Sequence, residues 1–134
     1  MADTFQLEIV TPEKMVVCDL AEEMQIPGKD GYLGILPGHA PLITELAVGE
    51  ITYRIGNHLH YLSVAWGFAE VLPDKVTILA ETAERADEID VSRAQQAKQR
   101  AETGLAHCNT EEEFEKTASD LKRAETRIEV AEKK

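Results

Sequence analysis

Lys75-Val76-Thr77-Ile78-Leu79-Ala80-Glu81-Thr82-Ala83-Glu84-Arg85-Ala86-Asp87-Glu88-Ile89-Asp90-Val91-Ser92-Arg93-Ala94 is the stretch in which the chain changes its texture. Lys75–Ala80 reads as a strand. Ile89-Asp90 places an aspartate N-cap directly ahead of an alanine-rich periodic segment, which predicts a helix. Beyond Glu84 glycine and proline nearly vanish and only Gly104 remains. Before it they punctuate short apolar runs. The chain therefore divides into residues 1–84 and 85–134.

Toward the N-terminus the runs are short and alternating. Leu72-Pro73-Asp74 separates the strand at Lys75 from one at Val64–Val71. Ile51–Ile55 and Leu59–Leu62 flank Gly56-Asn57-His58, a short hairpin signal. Met15–Leu20 and Glu23–Ile26 read as further strands. Phe5, Leu7 and Ile9 alternate with polar residues ahead of the turn Thr11-Pro12-Glu13-Lys14. Strands at this spacing predict an all-β sandwich or barrel. Pro27–Pro41 carries four glycines and three prolines and reads as a loop with an enforced path. It suits either a sandwich corner or a rigid loop presented to a partner.

Toward the C-terminus two helices are predicted. The first runs to about Ala106, with Ala94, Ala97, Ala101 and Leu105 on one face. His107-Cys108-Asn109 breaks the pattern, and Thr110-Glu111-Glu112-Glu113 has capping-box form. The second helix runs to about Lys133 on a stripe of Phe114, Thr117/Ala118, Leu121, Ala124, Ile128 and Ala131. The fold class is thus α+β in two parts: an N-terminal all-β sandwich followed by a C-terminal antiparallel two-helix hairpin. An alanine seam buries little area, at roughly 25 cal/mol per Å2, so the hairpin is expected to be marginal and separable.

Charge excludes some classes and points to a site. The 134 residues hold 25 acidic and 14 basic side chains, a net charge of −11, which argues against a nucleic-acid binder. Residues 1–84 carry 4 basic and 13 acidic side chains, and residues 85–134 carry 10 and 12, so the cations concentrate on the hairpin. With the hairpin turning near residue 108, Arg93 lies level with Arg123, and Arg127 with Asp90. Arg123 and Arg127 share a face at i, i+4, as do Arg93 and Arg100 at i, i+7. Arginine forks converging near the hairpin's open end, beside Glu84 and Asp90, suit phosphate oxygens. A solvated face of i, i+4 ion pairs accounts for the same pattern and is the reading the residues alone favour.

Other sites have little support. Cys18 and Cys108 lie far apart without metal-ligand spacing, so no disulfide or zinc module is expected, and a reducing cytosolic compartment is the default. His58 and His60 lack a third ligand, so no metal site is assigned. Ser63, His39 and Asp74 sit in no nucleophile elbow, and Gly31-Tyr32-Leu33-Gly34 is not a phosphate loop. No catalytic residue is assigned. No apolar run approaches a membrane span, and no signal or transit peptide is visible.

Gly31-x-Leu33-Gly34-Ile35-x-Pro37-Gly38-His39-Ala40-Pro41-Leu42 closely resembles the signature loop of the epsilon subunits of bacterial F-type ATP synthases. The resemblance extends to Phe5–Val10 with Thr11-Pro12, to Ala65-Trp66-Gly67-Phe68-Ala69-Glu70-Val71, and to Ile89-Asp90-Val91-Ser92-Arg93-Ala94.

The resemblance implies a non-catalytic subunit of the rotor's central stalk. Its sandwich would bind the gamma subunit and rest on the c-ring, coupling ring rotation to ATP synthesis. Its hairpin would lie down on the sandwich or extend toward the catalytic alpha/beta hexamer, the extended form blocking ATP hydrolysis. In some relatives the folded hairpin binds ATP; the matching positions are Glu84, Asp90, Arg93, Ala94, Arg100, Arg123 and Arg127. ATP is thus expected as a regulatory ligand, with no cofactor required. Tyr32, Gly38 and His39 become candidate interface residues. Many relatives carry an acidic residue at the place of Tyr32, so packing by its ring is expected to replace charge there. Membrane association would be indirect, through the c-ring, on the cytoplasmic face of a bacterial plasma membrane. The rival reading is a stand-alone ATP-binding sensor module.

Overall fold

A computed structural model describes residues 3–133. Eight strands come first: β1 (Phe5–Val10), β2 (Met15–Ala21), β3 (Glu23–Gly28), β4 (Gly31–Ile35), β5 (Leu42–Leu46), β6 (Gly49–Ile55), β7 (His58–Val71) and β8 (Lys75–Arg85). A 3-10 turn at Ala86–Glu88 leads to helices α1 (Val91–Leu105) and α2 (Glu111–Ala131). The sheet order is β2-β1-β8-β7-β5-β3-β4, with β6 paired to β3 and β7. The β1–β8 pair is parallel and the remaining pairs are antiparallel.

Three expectations need correction. Leu59–Leu62 and Val64–Val71 are one strand, β7. Pro27–Pro41 is not all loop: Gly31–Ile35 is a strand that pairs with β3, Gly28 opposite Gly31 across a two-residue turn. Phe114 is 53% exposed and not part of a buried stripe. Gly104 faces Thr117, so Phe114, nearly a turn earlier on α2, lies beyond the end of α1 and has no helix to pack on.

β7 is the strand around which the sandwich closes. On one edge it pairs with β8 along most of its length, Leu62 opposite Arg85 through Val71 opposite Val76. On its other edge Val64–His58 pair with β6, whereas Gly67–Val71 pair with β5. The change of partner falls at Trp66-Gly67, where both residues have positive φ, 51° and 142°. A β-carbon on Gly67 would sit 1.9 Å from the Leu79 carbonyl oxygen, so only glycine fits. Phe5, Leu7, Ile9, Ile26, Ile51, Leu62 and Ile78 are fully buried between the layers.

One ionic clasp closes the β6–β7 turn. Arg54 Nη1 donates to Glu22 Oε2 at 2.6 Å and to the Gly56 carbonyl at 2.9 Å. Glu22 Oε1 accepts the Gly56 N–H at 3.0 Å. That backbone donor first, and Arg54 second, hold the Glu22 carboxyl below its ordinary value of 4.5.

The hairpin lies with α2 against the sandwich and α1 outside it. The Asp90 carboxylate accepts the Arg93 N–H at 3.1 Å and caps α1. The Thr110 hydroxyl accepts the Glu113 N–H at 3.1 Å, while the Glu113 carboxylate accepts from Asn109 at 3.0 Å, one residue earlier than a standard capping box. α2 also buries Thr126 and Val130, which the stripe did not contain, beside Ala131, which it did. Val130 and Ala131 pack with Ala86, Ile89 and Tyr61 in a core separate from that of the sandwich. Thr126 is buried nearby and donates its hydroxyl to the Lys122 carbonyl at 2.8 Å.

Two consequences are measurable. Gly67→Ala should destabilise the sandwich by about 3 kcal/mol or more in chemical denaturation, because backbone opposes the added carbon. Glu22, whose folded carboxyl is held below 4.5, contributes stability above that pH and loses it as pH falls through the lowered value. Acid titrations of the wild-type chain and Glu22→Gln should therefore differ near neutrality and converge at the acid end.

Candidate functional site: an arginine-lined cleft under the hairpin

The helices carry alanine where they face each other, and that leaves room. Ala97 and Ala101 on α1 and Ala124 on α2, with Gly104, form the small-residue lining of a cleft of about 380 Å3. Arg93, Arg100, Arg123 and Arg127 line the same space. An adjoining lobe of about 280 Å3 shares Arg93, Arg123 and Arg127 and is bounded by Glu84 on β8 and Lys14 on the β1–β2 turn. The first lobe alone falls within the roughly 300–1,000 Å3 of small-molecule pockets.

The arginines are not equivalent. Arg127 is bound to the sandwich: Nε lies 2.7 Å from Glu84 Oε1, and Nη2 donates to Glu84 Oε2 at 3.1 Å. Its side chain is only 12% exposed, so this pair is shielded from water far more than an ordinary surface ion pair. Arg93, Arg100 and Arg123 make no ion pair among the described residues. Arg123 instead lies over the Trp66 ring, 5.9 Å from its centroid. Uncommitted guanidinium forks around a cleft can bind anionic oxygens.

Of the seven nucleotide-site candidates, five line the two lobes: Glu84, Arg93, Arg100, Arg123 and Arg127. Asp90 and Ala94 are placed otherwise. Asp90 is engaged as the α1 cap, and Ala94 is fully buried.

The interface candidates stand on β4 and the loop after it. The Tyr32 hydroxyl accepts the Glu50 N–H at 3.0 Å while the residue stays 58% exposed. Gly38 donates its N–H to the Pro73 carbonyl at 2.8 Å, and the His39 ring Nδ1 lies 2.7 Å from the Ala40 carbonyl. The Gly38 bond holds the loop to the β7–β8 turn, and the His39 contact stays within the loop. His60 does not present itself with His58; its ring stacks on Tyr53 at 4.8 Å.

Sequence reasoning missed two groups at the hairpin–sandwich contact. One is Trp66. The other is Lys133, whose ammonium lies 2.8 Å from a Glu50 carboxylate oxygen and 5.6 Å from the Tyr61 ring centroid. The Glu50 hydrogen bond raises the Lys133 ammonium above its usual range. Alternation hides both, because their partners come from distant elements. Among the described residues no helix is long and apolar enough to cross a membrane.

Both parts of the chain match known domain families. The family model "ATP synthase, Delta/Epsilon chain, beta-sandwich domain" matches residues 4–86, and "ATP synthase, Delta/Epsilon chain, long alpha-helix domain" matches residues 87–132. An ATP synthase epsilon chain of Koribacter versatilis is 73% identical over 105 residues, covering 78% of this chain and 74% of that protein. One from Syntrophobacter fumaroxidans is 49% identical over 133 residues, covering 99% of both. A chain in the mitochondrial ATP synthase of Euglena gracilis shares the fold, with a TM-score of 0.81 at 20% identity, covering 94% of this chain and 80% of that one. The chain belongs to the ATP synthase delta/epsilon chain family.

Proposed function

We propose that this chain is a non-catalytic subunit of the central stalk of a proton-translocating ATP synthase, and that its hairpin regulates ATP hydrolysis. In this reading the sandwich binds the gamma subunit and c-ring, so the chain sits peripherally on the cytoplasmic face of a bacterial plasma membrane. Tyr32, Gly38 and His39 belong to that contact surface. The hairpin lies down when ATP occupies the cleft and extends toward the alpha/beta hexamer, inhibiting hydrolysis, when it does not. Family membership supports the stalk assignment. The observation that carries the ATP assignment is the cleft itself: three uncommitted arginines face it, while Arg127 ties its wall to Glu84.

Such a switch works only through differential affinity. A ligand that bound the lying and extended hairpins equally would shift nothing. The cleft is built from both helices and β8, so an occupant contacts elements that extension would separate.

The arginine cleft also favours a second reading, a stand-alone ATP sensor. Co-expression with a gamma subunit separates the two: a stalk subunit co-purifies with gamma, and a self-sufficient sensor does not.

Calorimetric titration of ATP into the chain should give saturable binding. Arg123→Ala should weaken it by about 10-fold or more, since a hydrogen bond to a charged group contributes roughly 1.5–3 kcal/mol. No binding at millimolar ATP would leave the arginines as a solvated face. Hydrogen exchange supplies an independent check. At 100 times the dissociation constant, ATP should raise the protection of α2 amides that open with the hairpin by up to about 2.7 kcal/mol.

A further inference from the structure

Trp66 has a backbone conformation that a bulky residue rarely adopts, φ 51°, in the middle of a paired strand. Such strain persists where the surroundings hold it in place, and it is found where a side chain must be aimed. Here the half-buried indole lies beneath the Arg123 guanidinium, 5.9 Å from ring centroid to Cζ. Arg123 has no hydrogen-bond or ion-pair partner among the described residues. The cation–π contact is therefore the polar contact that the structure gives this guanidinium.

We propose that Trp66 is a positioning residue for the arginine cleft. It carries Arg123 by the face of the guanidinium, leaving the N–H edge open to a phosphate oxygen of ATP. The chemistry separates the two arginines of α2. A carboxylate holds Arg127 in the plane of its fork, as Glu84 does by accepting from Nη2 with Nε alongside at 2.7 Å. An aromatic face holds a guanidinium from above or below and consumes none of its in-plane donors. Arg123 is thereby fixed in place and still able to bind an anion. The inference deepens the ATP reading and rests on it.

The test compares the wild-type chain with Trp66→Leu, Trp66→Phe, Arg123→Ala and the double variant Trp66→Leu/Arg123→Ala, each titrated with ATP in a calorimeter. Trp66→Leu keeps much of the bulk and removes the π-face, and should weaken ATP about 3- to 10-fold. Trp66→Phe keeps an aromatic face and should recover most of that loss. The double variant should bind no more weakly than Arg123→Ala alone, because Trp66 acts through Arg123. Thermal melts identify any variant that fails to fold, and Trp66→Phe then carries the comparison with Arg123→Ala.

Full affinity in Trp66→Leu, equal weakening by Leu and Phe, or additive losses in the double variant would each overturn the inference. Each of those outcomes leaves ATP binding by the wild-type chain intact, and so leaves the reading it rests on standing. Absence of ATP binding by the wild-type chain would overturn both.

Discussion

The approach of Gly67 to the Leu79 carbonyl is the constraint on which the rest of the molecule depends. With no side chain in the way, β7 turns beside β8 without losing register, the pairing before and after the turn following one sequence. The turn lets a single strand carry β6 on its first half and β5 on its second. That exchange closes two layers over Leu62 and Ile78 with a short connection, Ala47-Val48, between the two partner strands. It also carries Trp66 to the surface that α2 covers. Architecture and candidate site therefore share one backbone feature.

The energetics of the two parts differ in kind. The sandwich core holds large aliphatic side chains that are fully buried, each worth about 1.5–3 kcal/mol relative to exposure. The hairpin's core with the sandwich consists of Ala86, Ile89, Val130 and Ala131, with Tyr61 half-buried beside them. Three cation contacts supplement it: Arg127 with Glu84, Arg123 with Trp66, and Lys133 with Glu50 and Tyr61. An exposed pair contributes up to about 1 kcal/mol, and only Arg127–Glu84 is shielded enough to exceed that. The whole attachment is then of the order of a few kcal/mol, comparable to the roughly 5.5 kcal/mol of differential binding that moves a two-state equilibrium from 1:99 to 99:1. A docked element of that strength lies within reach of a ligand.

Much of this was legible in the sequence, and the failures have physical reasons. Alternation at Phe5–Ile9 and the caps at Asp90 and Thr110 are local signals, and the structure realises each of them. The continuity of β7 was hidden because Leu62, Ser63, Val64 and Ala65 are all buried, which erases the period-two pattern of a half-exposed strand. β4 was hidden by its own glycines, which read as a loop although the chain is extended. Arginine convergence was legible from helical spacing and the antiparallel turn, but not its register: Gly104 faces Thr117, so Arg93 is not level with Arg123 as a turn at residue 108 implied. Which arginine would be held, and by what, was not legible either, because Glu84 and Trp66 reach α2 from β8 and β7.

The alanine seam links these observations. Seen as packing it is a weakness, since Ala94 and Ala101 are the buried residues of α1 and contribute little area. Seen as space it is what makes the cleft: Ala97, Ala101 and Ala124 line the volume that four arginines surround. Leucines at those positions would bury more surface and fill that volume with side chains. An arginine cluster also needs room to be approached by an anion, because guanidinium groups packed against each other repel. A lightly packed pair of helices and an open, arginine-lined cleft are therefore one design, specified by the same small residues.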